Sequence, residues 1–235
     1  MSILAEHARE FGIELLPAQL DAFELHQREL VAWNKRINLT AITAHDEIIV
    51  KHFLDSLSVA PILQSESTHS LIDIGSGAGF PGLPLKIAFP ALSVTLIDST
   101  GKKVEFLKHV IAALELYDTT ALHARAEELA HDPAHREKYD AAVARAVADL
   151  ATLLEYALPF VRVGGVFIAQ KGVEVGEEVQ RAERAIKGLG GRLREVVPVQ
   201  LPGLEPRHLI VVEKVAATPD RYPRAGGAAK KKPIG

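Results

Sequence analysis

The twelve residues Leu71-Ile-Asp-Ile-Gly-Ser-Gly-Ala-Gly-Phe-Pro-Gly82 constrain what this chain can fold into more than any other stretch. An apolar run breaks into glycines, so a buried strand must turn sharply into a helix. Glycines at 75, 77, 79 and 82 remove every Cβ that would hold the backbone away from a ligand. A second apolar run, Val94-Thr-Leu-Ile-Asp98, ends in an acid at the tip of the next strand, where a carboxylate accepts hydrogen bonds from ribose hydroxyls. The pair predicts a nucleotide-type cofactor site on an open α/β sheet. A turn with no ligand accounts poorly for so many glycines, which cost folding entropy without packing anything.

Two cofactors fit the spacing. Gly77-x-Gly79-x-x-Gly82 satisfies the dinucleotide fingerprint, with Asp98 at a suitable distance downstream. Read as Asp73-x-Gly75-x-Gly77-x-Gly79, the same stretch resembles the first motif of S-adenosylmethionine (SAM) dependent methyltransferases. Asp73 favours the second reading: a carboxylate at the crevice suits a cationic sulfonium and repels a pyrophosphate. Pro81 and Pro84 remove N–H groups that a pyrophosphate would use. A nicotinamide-dependent oxidoreductase stays open as the rival.

With 235 residues, 48% of them hydrophobic and 24% charged, the chain has room for one large α/β domain with extensions. It has no cysteine, which excludes disulfides and cysteine-ligated zinc. The first ten residues carry charges where a signal peptide would be apolar, and no apolar run reaches membrane-spanning length, so a cytoplasmic location is expected. A net charge of −3 argues against gripping nucleic acid with the whole surface. Any such contact must be local, with Lys35/Arg36, Lys102/Lys103 and the C-terminal residues as candidate patches.

Leu16, Leu20, Phe23, Leu30 and Val31 recur at helical spacing, so residues 1–68 read as a helical N-terminal extension ending in a loop over 64–69. Strand candidates follow near 71–75, 93–98, 119–123, 139–145, 164–170, 192–200 and 208–214, with helical stretches between the first five. Residues 69–218 therefore read as a Rossmann-like, doubly wound, mostly parallel sheet of seven strands. The last two strands are joined only by Leu201-Pro-Gly-Leu-Glu-Pro206, too short for a crossover, and predict an antiparallel hairpin. That plan resembles class I SAM-dependent methyltransferases, and a dinucleotide enzyme would need a second domain for which no length remains. After residue 218 periodicity stops, and 219–235 read as a basic flexible tail.

Among methyltransferase chemistries, carbon-5 methylation of pyrimidines needs a cysteine, which is absent. The fourth strand runs Asp140-Ala-Ala-Val-Ala-Arg145 into Ala146-Val-Ala-Asp149, without the Asn/Asp-Pro-Pro-aromatic motif of exocyclic amine methylation. His131 and His135 flank Asp132-Pro133 in a loop, a poor metal site, and no metal is expected. Guanine N7 has a free lone pair and needs no general base, only alignment with the methyl donor. Small-molecule N- or O-methylation passes the same filters and stays open.

Outside the glycine loop, Trp33-Asn-Lys-Arg-Ile-Asn-Leu-Thr40 and Val50-Lys-His-Phe-Leu-Asp-Ser-Leu57 resemble the N-terminal signature of the RsmG (GidB) family, which methylates guanine N7 at position 527 of bacterial 16S ribosomal RNA. The loop over 73–85, Asp98-Ser-Thr-Gly-Lys-Lys-Val-Glu-Phe-Leu107, Ala126-Glu127, Ala144-Arg145-Ala146, Lys171-Gly172 and the C-terminal Tyr222-Pro-Arg224, Gly227, Lys231 and Pro233-Ile234 are similar to it too. The resemblance covers nearly the whole chain. It implies SAM as cofactor and 16S rRNA, in a small ribosomal subunit or an assembly intermediate, as partner. No obligate protein partner is evident, and a monomer is expected.

The resemblance implies cofactor contacts at Gly75, Phe80, Asp98, Ser99, Thr100, Ala126, Glu127 and Arg145, which join Asp73, Gly77 and Gly79 from the loop itself. Arg145 carries the catalytic expectation: it orients the cofactor carboxylate or a substrate phosphate, its bland alternative being an ion pair with Asp73 or Glu127. Lys51, His52 and Asp55 lie at helical spacing, where Lys51 and Asp55 read equally as an i,i+4 pair. Arg221, Tyr222, Arg224, Lys230, Lys231 and Lys232 suit a segment that orders on RNA phosphates. Phe80 and Phe53 are candidates to stack on the target base. A non-catalytic RNA-binding module would share the tail and the core.

Overall fold

The computed structural model describes residues 1–145 and 148–235; Ala146, part of the Ala144–Ala146 match, lies outside the described residues. Seven strands, β1 (Ser70–Ile74), β2 (Ser93–Asp98), β3 (Thr119–His123), β4 (Tyr139–Arg145), β5 (Val161–Lys171), β6 (Gly191–Val199) and β7 (Arg207–Lys214), form one sheet in the order β3-β2-β1-β4-β5-β7-β6. β1 pairs in parallel with both β2 and β4, and β7 alone runs against its neighbours β5 and β6. The expected hairpin is present. Inner strands are covered on both faces, which is why Leu71–Ile74 and Ala141–Ala144 are apolar without alternation, apart from the buried Asp73.

Strand order reverses between β1 and β4, so a crevice opens beyond their carboxyl ends. Because β7 is antiparallel, its first residue, Arg207, reaches that same edge; Lys171 at the end of β5 faces His208 across the ladder. Helices Gly82–Ala88 and Gly101–Ala113 make the first crossovers on one face, and Leu150–Ala157 and Gly176–Gly188 cover the other.

The N-terminal extension is helical, as expected, with Pro17–Asn34 its longest helix. Phe23 and Leu30 are fully buried, but Leu16 precedes the first turn and is 62% exposed, so the periodic face is one residue shorter than predicted. Gln19 caps the Leu16 N–H and donates to the carbonyls of Ile87 and Ala88, fastening the extension to the end of the helix after the glycine loop. Residues His45–Leu57 run as one helical stretch widened to π geometry over Ile49–Leu54. A π turn is a frequent marker of functional positions, and this one carries Lys51 and His52, with Asp55 just beyond it.

The C-terminal segment departs from expectation. Residues 219–235 are docked, not free: Arg224 donates from Nε and Nη2 to the fully buried carboxylate of Glu155, and Ala229 is fully buried. Glu155 sits on the helix Leu150–Ala157, far away in sequence, so local composition gave no sign of the pairing.

Candidate cofactor cleft and acceptor face

A cleft of about 320 Å³ opens beyond β1, β2 and β3, walled by Gly75, Ile97, Asp98, Ser99, Ala126 and Glu127. Five of these six positions are expected cofactor contacts. The glycine loop takes its shape from left-handed backbone at Gly75, Gly77 and Gly79 (φ 69°, 58° and 89°). Gly82 needs close approach instead: a Cβ there would overlap Leu96 Cδ2 and stand 2.9 Å from Asp73 Oδ2.

Asp98 is held by two backbone donors, Gly77 N to Oδ2 at 3.0 Å and Thr100 N to Oδ1 at 2.8 Å. Each carboxylate oxygen keeps a lone pair for a further donor, which is the requirement for receiving ribose hydroxyls. Asp73 is placed differently from expectation. It lies fully buried beneath the loop, where Oδ2 accepts from Gly82 N at 2.9 Å and Oδ1 has no partner, and burial pushes its carboxyl up to about 7. It latches the loop and puts negative potential behind the cleft. A glycine cradle, a presented carboxylate and a buried acid below with one free oxygen fit a nucleoside that carries positive charge; a pyrophosphate does not fit such a field.

Gly77, Gly79, Phe80, Thr100 and Arg145 are not in the cleft wall among the described residues. Arg145 anchors a separate cluster. Its Nη1 donates to Asp55 Oδ2 at 2.8 Å and to the Lys51 carbonyl at 3.0 Å, and its Nη2 meets His52 Nδ1 at 3.2 Å. Arg207 approaches the other Asp55 oxygen at 3.6 Å, and Gln170 donates to the Asp55 carbonyl. The ion pair is therefore with Asp55, neither Asp73 nor Glu127. Lys51 pairs with Glu47, so the expected Lys51/Asp55 pair is absent.

His52 stacks on Phe80 with ring centroids 4.4 Å apart, and the Arg145 guanidinium lies 5.0 Å from the same ring. Burial, with Arg145 adding repulsion, pushes His52 down to about 3. With Arg145 donating to Nδ1, the remaining ring N–H faces Thr40 Oγ1 at 2.9 Å, so His52 is a neutral positioning group with no lone pair free to act as a base. His26 stacks on Phe80 at 5.3 Å; burial lowers it to about 4, with the Ala78 backbone offsetting part of the shift although neither ring nitrogen reaches hydrogen-bond geometry. Phe53 is fully buried and Phe80 only 4% exposed, so both rings pack in the interior, and neither is presented to a base as the sequence suggested.

A family model described as GidB, rRNA small subunit methyltransferase G, matches residues 19–210. The chain belongs to this family. Ribosomal RNA small subunit methyltransferase G of Roseiflexus sp. (strain RS-1) is 53% identical over 234 residues, covering 100% of both chains. The protein of that name from Acetivibrio thermocellus is 48% identical, covering 99% of this chain and 96% of its own. Among solved structures, an O-methyltransferase from Bacillus cereus in complex with SAH superposes with a TM-score of 0.59 at 15% identity, covering 80% of this chain and 90% of that one. A 16S rRNA (adenine(1408)-N(1))-methyltransferase from Catenulisporales acidiphilia gives 0.51 at 14%, covering 66% and 90%. These two likenesses show the fold of class I methyltransferases.

In this GidB-family chain, sequence reasoning overlooked several residues. Tyr156 lines the cleft and Arg207 joins the Asp55 cluster, while Lys230 and Lys231, expected on RNA, line the cleft as well. Arg207 was accessible in principle, since a hairpin strand must begin at the edge where the parallel strands end. Arg224, expected on RNA, is consumed by Glu155. His131 and His135 bind the Pro223 carbonyl and the Tyr139 hydroxyl, and no metal cluster occurs among the described residues.

Proposed function

We propose that this protein transfers a methyl group from SAM to N7 of a guanine in 16S ribosomal RNA, position 527 by family resemblance. One observation carries the reading: relatives bearing the small-subunit rRNA methyltransferase name match the chain end to end, and the cleft those residues build suits a cationic nucleoside. SAM supplies an electrophilic methyl on a sulfonium. Asp98 receives the ribose, Ala126 and Glu127 border the adenine side, and the Gly75–Gly79 turn lets the backbone approach. Asp73 supports the positive charge from below the loop.

Guanine N7 attacks with its own lone pair, and the described acceptor face agrees with that chemistry. His52 is held neutral with both nitrogens engaged, and Arg145 is held by Asp55. What the protein contributes is alignment and exclusion of water. Arg145, committed to Asp55, the Lys51 carbonyl and His52, orders the acceptor face, and the more exposed Arg207 beside it meets a substrate phosphate; an arginine forked onto guanine O6 and N7 would block the reacting atom. Arg221, Tyr222 and Lys232 meet RNA outside the cleft, and the protein acts as a monomer in the cytoplasm. No helix among the described residues is long and apolar enough to cross a membrane.

Methyl-labelled SAM and small subunits from cells lacking such an enzyme test the reading, with the label mapped along the RNA. Label at one guanine N7 is expected. Label on another base, or SAM binding without any label, would discard the substrate.

A further inference from the structure

The geometry points to Lys230 and Lys231 as cofactor-binding residues, delivered by the docked C-terminal segment to hold the carboxylate of the cofactor's amino-acid part. The inference rests on the reading of the cleft as a SAM site. It reassigns two lysines that composition alone placed on RNA.

Three sets of contacts fix the segment. Arg224 donates to Glu155 from its backbone N (2.7 Å), Nε (2.9 Å) and Nη2 (2.6 Å). Arg136 donates to the Tyr222 carbonyl at 3.0 Å, and His131 meets the Pro223 carbonyl at 2.8 Å. Thr152 Oγ1 donates to the Ala229 carbonyl at 3.2 Å. The helical turn Ala228–Lys231 is thereby laid against the helix Leu150–Ala157, which follows β4, and Gly227, Lys230 and Lys231 line the cleft together with Asp98 and Glu127. Among the described residues, no carboxylate lies within ion-pair distance of either lysine, whereas most other cations near the site are committed.

The charge pattern then reads as recognition of a zwitterion. Asp98, Glu127 with its partner Arg125, and two lysines with no ion-pair partner among the described residues line one cleft. The cofactor carries one carboxylate, and Arg145, the obvious candidate for it, has its donors on Asp55, the Lys51 carbonyl and His52. A charge-assisted hydrogen bond in a half-enclosed cleft changes affinity by on the order of tenfold or more.

The test is calorimetric titration of the full-length protein with S-adenosylhomocysteine and with methylthioadenosine, which lacks the amino-acid part. In a Lys230→Ala/Lys231→Ala double variant, S-adenosylhomocysteine should bind about tenfold more weakly while methylthioadenosine is unaffected. Lys230→Arg/Lys231→Arg should restore affinity, and Lys232→Ala, outside the cleft wall, should leave it unchanged. Truncation after Arg224 keeps the Glu155 pair and should reproduce the loss. Unchanged affinity in the double variant overturns the inference and returns both lysines to RNA. Equal weakening of both ligands overturns the carboxylate assignment. Wild-type protein that binds neither ligand would instead sink the proposed function.

Discussion

The glycine loop and the C-terminal segment wall the same cleft by opposite means. The loop is assembled from consecutive residues whose backbone conformations are written into glycine placement, and its latch, Asp73 to Gly82, spans nine positions. The segment depends on Arg224 finding Glu155 across 69 positions, with Ala229 seated on Thr152 across 77. The first wall is rigid because it is sterically over-determined. The second is held by a few polar contacts, so it is the wall that can be detached without unfolding the sheet.

The largest effect should come from filling the loop. Gly82→Ala places a methyl into Leu96 and against Asp73, which costs about 3 kcal/mol by overpacking and opens the latch. Denaturant titration should show the loss, and S-adenosylhomocysteine binding should fall with it. A variant of wild-type stability would mean that the loop is looser than the structure shows.

Acid should attack the loop's supporting side next. His26 and His52 are held down to about 4 and about 3, below the ordinary 6.5, so each favours the folded state above pH 6.5 and loses that contribution as pH falls. Asp73, held up to about 7, works in the opposite direction, gaining stability as pH falls toward 3.8. Between pH 6.5 and 4.5 unfolding takes up two protons and releases one, a net loss of about 2–3 kcal/mol. His26→Leu removes one uptake and should make stability nearly flat over that window, which urea titrations at the two pH values will check.

Detaching the other wall should cost less. Arg224→Ala leaves Glu155 a buried carboxylate without its main partner, but undocking of the segment lets water reach it, limiting the cost to about 2 kcal/mol. Limited proteolysis should remove the residues beyond 219 while the sheet stays intact. Resistance equal to wild type would show that the Arg136 and Thr152 contacts suffice. Smallest of all, Lys51→Ala breaks only the half-exposed pair with Glu47 and should change stability by less than about 0.5 kcal/mol, within the error of the same titration.

How much was legible in the sequence follows the same divide. Strand positions, the closing hairpin, the Gly75 turn and Asp98 were readable because apolar runs and the glycines that end them are local signals, whereas Ser99, Ala126 and Glu127 came from the family resemblance; the structure sets these five residues in the cleft wall. Arg145 was readable as a strand-end residue but its partner was not, since Asp55 comes from the N-terminal extension 90 positions away. Phe80 looked like a free ring at the tip of a loop. It is packed between His26 and His52, which no local pattern could reveal.

From its sequence alone, this protein's sheet, its glycine turn and the acid at the tip of β2 were determined, because apolar runs and glycine act over a few residues. Only the tertiary structure decided which cations are free and which are neutralised. Lys230 and Lys231 are left facing the cleft while Arg224 and Arg145 are tied down, and that choice is made by carboxylates distant in the chain, whose burial forces them to find a partner.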